Sequence, residues 1–217
     1  MDLMSCSDLG AWREALSSYP ATLESLQKPH LLPLDDFYRD QLPLLLRQRD
    51  PDPFITKPEL SQLMQWKLSR GKWRPRLQDF VSKLEETQVE SASRKAFRSL
   101  PDLSKAVSEL TVLKGVGPAT ASAVIAAYAP DVAPFMSDEA MVAALGNKKE
   151  YTLKQYLVFA KKLQEKSKEL CKEECNFTAS DVERALWSFN VGGKLPHSPA
   201  VKNSKSPMRS AKRKRKM

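Results

Sequence analysis

The stretch Leu113-Lys-Gly-Val-Gly-Pro-Ala-Thr-Ala121 decides which fold this chain of 217 residues is expected to adopt. Gly115 and Gly117 flank one small apolar residue, and glycine permits backbone angles that a Cβ atom would block. The second apolar helical pattern opens at Pro118, and proline is favoured in the first turn of a helix. The stretch therefore predicts two helices joined by a tight turn, with Val116 packed between them.

The composition favours an all-α fold around this turn. Leu, Ala, Glu, Lys and Gln are abundant, only seven glycines occur, and 41% of the residues are apolar. Periodicity and composition divide the chain into an N-terminal helical extension (residues 1–53), a helical domain (residues 54–192) and a basic tail (residues 193–217). The tail is rich in Pro, Ser and Lys, so we expect it to be disordered.

The net charge of +9 is unevenly distributed. Nine Lys and Arg side chains and no acidic side chain lie in the tail, which leaves 26 basic and 26 acidic residues in residues 1–192. Within this neutral body, residues 54–124 carry twelve basic and seven acidic side chains. The basic excess of the body therefore lies in the stretch that leads into the turn, which favours an anionic partner there.

The turn itself predicts a phosphate-binding site. Backbone N–H groups around two glycines, together with the positive end of the following helix, favour an anion. Such contacts position DNA without selecting its sequence. The alternative is a turn that serves only folding. The candidate DNA contacts are Lys114, Gly115, Val116, Gly117 and Thr120.

A second candidate contact is the basic, aromatic segment Trp66-Lys-Leu-Ser-Arg-Gly-Lys-Trp-Arg-Pro-Arg76, which contains no acidic residue. Its cations could contact phosphates, and Trp73 could stack on an unpaired base. Alternatively, Trp66 belongs to the core and the arginines form a solvated turn. The candidate phosphate contacts are Arg70, Lys72, Arg74 and Arg76.

The pattern Leu-x-Gly-Val-Gly-x-x-Thr-Ala resembles the hairpin signature of the helix-hairpin-helix DNA glycosylase superfamily, which includes endonuclease III and alkyladenine glycosylase. Pro130, Pro134 and Asp138 follow in the order that this superfamily shows after its hairpin. The resemblance is specific over about residues 110–142, and it is that of a divergent eukaryotic member. It implies a helical array of the glycosylase type over residues 54–190.

The resemblance also implies a role for Asp138, which matches the superfamily aspartate that helps to cleave the N-glycosidic bond. A carboxylate at a helix start can stabilise an oxocarbenium ion or activate water. The alternative is that Asp138 or Ser137 caps the helix. Ala119 stands where lyase-competent relatives carry a Schiff-base lysine, so the expected enzyme is a monofunctional glycosylase without lyase activity. Three cysteines and two histidines form no metal-ligand pattern, and we expect no metal or cofactor.

The C-terminal basic run predicts a nuclear protein. The predicted function is nuclear DNA binding, mainly through the phosphate backbone, with base excision as the candidate activity. The alternative is a non-catalytic nuclear adaptor that docks a protein through residues 1–53, where Leu42, Leu44, Leu45 and Leu46 cluster. No apolar run is long enough for a membrane span. The import residues are Lys212, Arg213, Lys214, Arg215 and Lys216.

Overall fold

The computed structural model describes residues 2–146, 150–171 and 176–193, and the regular secondary structure of these residues is entirely helical, as the composition predicts. A 3-10 turn, Leu3–Ser5, precedes the first α-helix, and a π-helical turn, Phe37–Gln41, joins α3 to α4. The helices are α1 Leu9–Ser17, α2 Tyr19–Ser25, α3 Leu31–Asp36, α4 Leu42–Arg47, α5 Lys57–Arg70, α6 Pro75–Ser82, α7 Glu86–Arg98, α8 Leu103–Thr111, α9 Pro118–Tyr128, α10 Asp138–Leu145, α11 Leu153–Leu170 and α12 Ala179–Gly192.

Local sequence explains where helices α5 and α12 begin. At the start of α5, Thr56 accepts from the amide of Glu59, and the Glu59 carboxylate accepts from the amide of Thr56. Thr178 and Asp181 form the same reciprocal capping box at the start of α12. Each box satisfies two backbone donors that a helix start would otherwise leave unpaired.

Residues 1–53 share one core with the rest of the described chain. Helix α1 packs on α12 and α3 packs on α5, and the indole of Trp12 is fully buried. The predicted leucine cluster is largely part of this core: Leu42 and Leu46 are fully buried, whereas Leu44 is 57% exposed. The cluster therefore does not offer a continuous apolar surface to a partner.

Helix α9 lies at the centre of the fold. Every residue from Ala119 to Ala127 is buried, and α9 contacts α4, α5, α7, α8 and α11. Five alanines and one serine in this stretch have small side chains, so neighbouring helices can approach the α9 backbone closely. A helix that is buried on all sides fixes the orientation of its own N-terminus with respect to the surrounding helices.

The turn between α8 and α9 has the predicted geometry. Val116 is buried and donates its amide to the carbonyl of Leu113 at 3.0 Å. Gly115 has a φ of +90°, and a Cβ atom there would lie 2.6 Å from Cβ of Phe80. Both the backbone angle and the close approach of α6 therefore require glycine at this position.

The connector between α9 and α10 is held in place at both of its ends. The amide of Met136 donates to the Ser122 hydroxyl on α9 at 3.0 Å. Ser180 on α12 donates its amide to Pro130 at 3.1 Å and its hydroxyl to the carbonyl of Ala133 at 3.0 Å. These contacts determine where the start of α10, and with it Asp138, lies relative to the turn.

None of the helices within the described ranges combines the length and apolar content that a bilayer crossing requires.

Candidate nucleic-acid interface and cleft

A cleft of about 200 Å³ opens beside the α8–α9 turn. Its walls come from the end of α5 with residues 71–74, from the turn and the start of α9, from the connector and the start of α10, and from Tyr151. Phe135, Met136 and Trp187 supply apolar surface. Pockets for drug-sized ligands usually measure roughly 300–1,000 Å³, so this cleft suits one small planar group better than a long ligand.

Asp138 faces this cleft from the first turn of α10. Its carboxylate accepts a hydrogen bond from the hydroxyl of Tyr151 at 2.7 Å. Burial and this hydrogen bond raise the pKa of Tyr151, so the phenol keeps its proton and remains a donor. The aspartate is partly exposed and oriented by a neighbour, as a group that acts on a bound molecule needs to be.

The helix-cap alternative does not account for the position of Ser137. Ser137 occupies the cap position of α10, but no side-chain cap bond forms there. Its hydroxyl donates instead to the carboxylate of Glu183. Asp138 is the first residue of α10, and its carboxylate accepts a hydrogen bond from the hydroxyl of Tyr151.

Gly115 and Gly117 of the turn line the same cleft. Within the described residues, the amides of Gly115 and Gly117 donate to no backbone carbonyl, and no side chain caps α9. A Cβ atom added to Gly117 would have no heavy atom within 4 Å, so the space over this residue is open. An anion could therefore approach the start of α9 closely. Thr120 is buried but lines the cleft, and Lys114 is exposed with its ammonium 5.1 Å from the centre of the Phe80 ring.

The basic segment after α5 supplies exposed cations at the rim. Lys72 and Arg74 line the cleft, and the Arg74 guanidinium lies 5.1 Å from the centre of the Tyr151 ring. Trp73 is 61% exposed and borders a separate shallow hollow with Lys28 and His30. Arg76 is exposed but is not among the residues that line the cleft.

Arg70 differs from the other cations of this segment. Its side chain is 2% exposed, and its two terminal nitrogens lie 3.3 Å from the Glu183 carboxylate. The Arg70 guanidinium lies 4.3 Å from the centre of the Trp187 ring. Arg70 forms part of the cleft floor, and its charge is balanced inside the protein.

Arg70 belongs to a buried ionic network beneath the cleft, which consists of Asp35, Arg39, Arg70 and Glu183. Asp35 accepts from the hydroxyl of Tyr19 and from the indole of Trp66, each at 2.6 Å. Arg39 lies 4.0 Å from Asp35 and 3.9 Å from Glu183. Two acidic and two basic side chains therefore balance each other in the interior. As the second interpretation of the basic segment predicts, Trp66 is fully buried, and it stacks on Tyr38 with ring centres 3.6 Å apart.

Sequence reasoning missed Lys67, which enters the cleft from α5. Burial, together with the nearby charge of Arg74, lowers the pKa of this lysine to about 8, and the Asp138 carboxylate opposes that shift. Lys67 lies on the apolar helical stripe of Leu60, Leu63 and Met64, where a charged residue is unexpected. A charged residue on an apolar stripe is therefore the sequence signal that could have identified Lys67.

Tyr151 and Glu183 were also missed. Glu183 lies on the apolar stripe of α12 beside Val182 and Leu186, which is the same signal as for Lys67. Nothing in the sequence around Tyr151 indicates its contact with Asp138.

Two predictions fall on or near residues that the structure does not describe. The import run and almost all of the predicted disordered tail lie beyond Gly193, outside the described residues.

Over the described ranges, no group of three or more His, Cys, Asp or Glu side chains is arranged to hold a metal ion.

Comparison with models of known protein families, with curated proteins and with solved structures finds no match for this chain. The geometry of the cleft is therefore the basis on which a function can be argued.

Proposed function

We propose that this protein is a nuclear DNA-binding protein with a helix-hairpin-helix fold of the DNA glycosylase type, and that it removes a base by hydrolysing an N-glycosidic bond. The observation that carries the proposal is the convergence of Asp138, the α8–α9 turn and the basic segment on one cleft. The sequence separates these three features by up to about seventy residues.

The turn and the rim would hold the DNA backbone. The amides of Gly115 and Gly117, which donate to no backbone carbonyl of the described residues, and the positive end of α9 favour a phosphate, while Lys72 and Arg74 add charge beside it. These groups contact the backbone of any DNA sequence in the same way. Because the contacts are to charged phosphates, binding is expected to weaken steeply as the salt concentration rises.

The cleft interior would receive the base and sugar. A base rotated out of the duplex could pack on the apolar surface of Phe135, Met136 and Trp187. As the bond from C1′ to the base nitrogen breaks, positive charge develops on the sugar, and the Asp138 carboxylate can stabilise it. The base leaves with the electron pair of that bond. Water then adds to C1′, and Asp138 can accept the proton of that water and pass it to the released base. Tyr151 orients the carboxylate through the 2.7 Å hydrogen bond.

Base release from defined duplexes tests this proposal. Duplexes that carry uracil, an alkylated purine or an oxidised base are incubated with the protein, and free base is measured by mass spectrometry. We expect release from at least one lesion, and a loss of about 100-fold or more in Asp138→Asn. Tyr151→Phe should lose less, because it removes only the orienting hydrogen bond.

The matched control is Asp131→Asn, which neutralises an exposed acid on the connector outside the cleft. It should release base at the wild-type rate. No release from any lesion, or equal release by wild type and Asp138→Asn, would contradict the catalytic part of the proposal. Duplex binding that does not change with salt would contradict the binding part.

A further inference from the structure

Trp73 is the one tryptophan of this chain that the fold leaves exposed. Trp12, Trp66 and Trp187 are almost completely buried, whereas Trp73 is 61% exposed. Within the described part of the chain, no other aromatic ring and no cation packs on the Trp73 indole. An exposed indole that no ring covers is a surface on which another flat ring can stack.

The hollow beside Trp73 adjoins the cleft. This Trp73 hollow measures about 310 Å³ and is lined by Lys28, His30, Leu68, Ser69, Gly71 and Trp73. Gly71 lines the cleft as well, while Lys72 and Arg74 line the cleft alone. A single stretch of backbone, residues 71–74, therefore separates the hollow from the cleft.

The chemistry of the Trp73 hollow suits a nucleic acid. Leu68 and the indole of Trp73 supply apolar surface, and the two ionisable side chains, Lys28 and His30, are both basic. No acidic side chain of the described residues lines the hollow, and residues 66–76 contain no acidic residue. An aromatic surface beside cations binds an unpaired base together with its phosphate, whatever the sequence.

The two walls of the Trp73 hollow are joined to each other. The ammonium of Lys28 donates to the carbonyl of Ser69, in the last turn of α5, at 2.8 Å. This bond fixes the segment before α3 against the end of α5, so the hollow is formed before a ligand arrives. An ammonium has three N–H groups, and the others can still contact a phosphate.

We propose that the Trp73 hollow binds the base of the nucleotide next to the one whose base enters the cleft. The preferred DNA then carries two adjacent unpaired nucleotides. This inference rests on the proposed function, because the cleft must hold one nucleotide of the same strand. The strand would cross residues 71–74, where Lys72 and Arg74 can meet the phosphate between the two nucleotides.

The second nucleotide must be unpaired for a geometric reason. In a duplex each base is stacked between its neighbours, so its face reaches Trp73 only after the base has left the stack. The cost of leaving the stack is smallest where the base is already unpaired. The hollow therefore selects DNA with a locally opened strand, and its base takes no part in bond cleavage.

Anisotropy titrations with three labelled DNAs of otherwise equal sequence test the inference. The first is a fully paired duplex, the second contains one unpaired nucleotide, and the third contains two adjacent unpaired nucleotides. The full chain should bind the second more tightly than the first, because one base can enter the cleft. It should bind the third at least about fivefold more tightly than the second, because the next base stacks on Trp73.

Variants of Trp73 assign this gain to the hollow. Trp73→Ala should remove the gain, yet bind the DNA with one unpaired nucleotide within about twofold of wild type. Trp73→Phe keeps a ring that can stack, so most of the gain should return. The matched control is Leu44→Ala, which removes an exposed apolar side chain that lines neither the cleft nor the hollow and should keep the whole gain.

Indole fluorescence gives a second readout that a purely structural role of Trp73 would not change. Stacking on a base quenches the emission of a tryptophan. The DNA with two unpaired nucleotides should therefore quench more emission than the DNA with one, and Trp73→Phe should lose this difference.

The possible failures are distinguishable. Equal affinities of wild type for one and for two unpaired nucleotides, or a gain that survives in Trp73→Ala, would overturn this inference and leave the proposed function standing. The absence of binding to any of the three DNAs would overturn the proposed function and this inference together.

Discussion

The buried ionic network and the cleft above it contain the same kinds of side chain in opposite circumstances. In the network, Arg70 and Glu183 are almost completely enclosed and face each other at 3.3 Å. In the cleft, Lys67 and Asp138 both line open space, and the Asp138 carboxylate opposes the fall of the Lys67 pKa. Pairing inside the protein balances the charge of the first set, while the second set lies where a bound molecule would contact it.

The largest expected effect comes from breaking the network at Glu183. Glu183→Gln leaves the guanidinium groups of Arg39 and Arg70 without their shared carboxylate in a fully buried place. We expect the free energy of unfolding to fall by about 3 kcal/mol or more, as it does when one partner of a buried ion pair is removed. Urea unfolding followed by circular dichroism measures it.

Glu139→Gln on the cleft wall is the matched variant. Its carboxylate is partly exposed, so the free energy of unfolding should change by less than about 0.5 kcal/mol. Equal losses in the two variants would show that the network and the cleft do not differ in the way described.

The two glycines of the turn make the same contrast in the backbone. Gly115→Ala must place a Cβ atom 2.6 Å from Phe80 at a φ of +90°, whereas Gly117→Ala meets no atom within 4 Å. We expect Gly115→Ala to cost about 2 kcal/mol or more in unfolding free energy. Gly117→Ala should stay within about 0.5 kcal/mol of wild type.

At Gly117, DNA affinity should respond more strongly than stability. Gly117→Ala fills the space through which a phosphate would reach the start of α9, so a folded protein with weakened binding is expected. If Gly117→Ala binds a duplex as wild type does, the turn serves folding alone. Gly115 is unsuitable for this test, because a loss of binding there could reflect the damaged turn.

Sequence reasoning located the turn because the turn depends on local pattern: glycine spacing predicted the reversal at Val116. Asp138 was singled out by the resemblance to the glycosylase superfamily. Periodicity could also have marked Lys67 and Glu183, which are charged residues on apolar stripes, but both were missed. It could not show that Glu183 pairs with Arg70, because these two residues are 113 positions apart in the sequence. Nor could it show that none of the described acidic side chains lies within 4.0 Å of the Lys67 ammonium group.

A smaller effect, of opposite sign, is expected at Lys67. Its lowered pKa means that the folded state holds the ammonium less well than the unfolded chain does. Lys67→Met should therefore stabilise the protein at pH 7 by on the order of 2 kcal/mol. Below pH 8 the gain is complete. It shrinks as the pH rises from 8 towards the unfolded value near 10.5, where both states carry a neutral amine.

Thermal unfolding at pH 7 and pH 10 measures this gain and its loss. Lys161→Met, at an exposed position on α11, should show no comparable dependence on pH. A destabilised Lys67→Met protein at pH 7 would mean that the lysine is held by a favourable contact, and the cleft would then resemble the network.

The smallest effect on stability, yet a direct one on binding, is expected at Lys72. This side chain is exposed and lies two residues after Arg70, so the two cations differ in burial far more than in sequence position. Lys72→Ala should leave unfolding unchanged within about 0.5 kcal/mol. If Lys72 contacts one phosphate, its loss removes one released counterion, and the slope of log affinity against log salt should fall in magnitude by about 0.9. Anisotropy titrations of one duplex at several salt concentrations give that slope, with Lys161→Ala as the control for a remote positive charge. An unchanged slope would place Lys72 with Arg70, as a cation whose charge the protein does not offer to DNA.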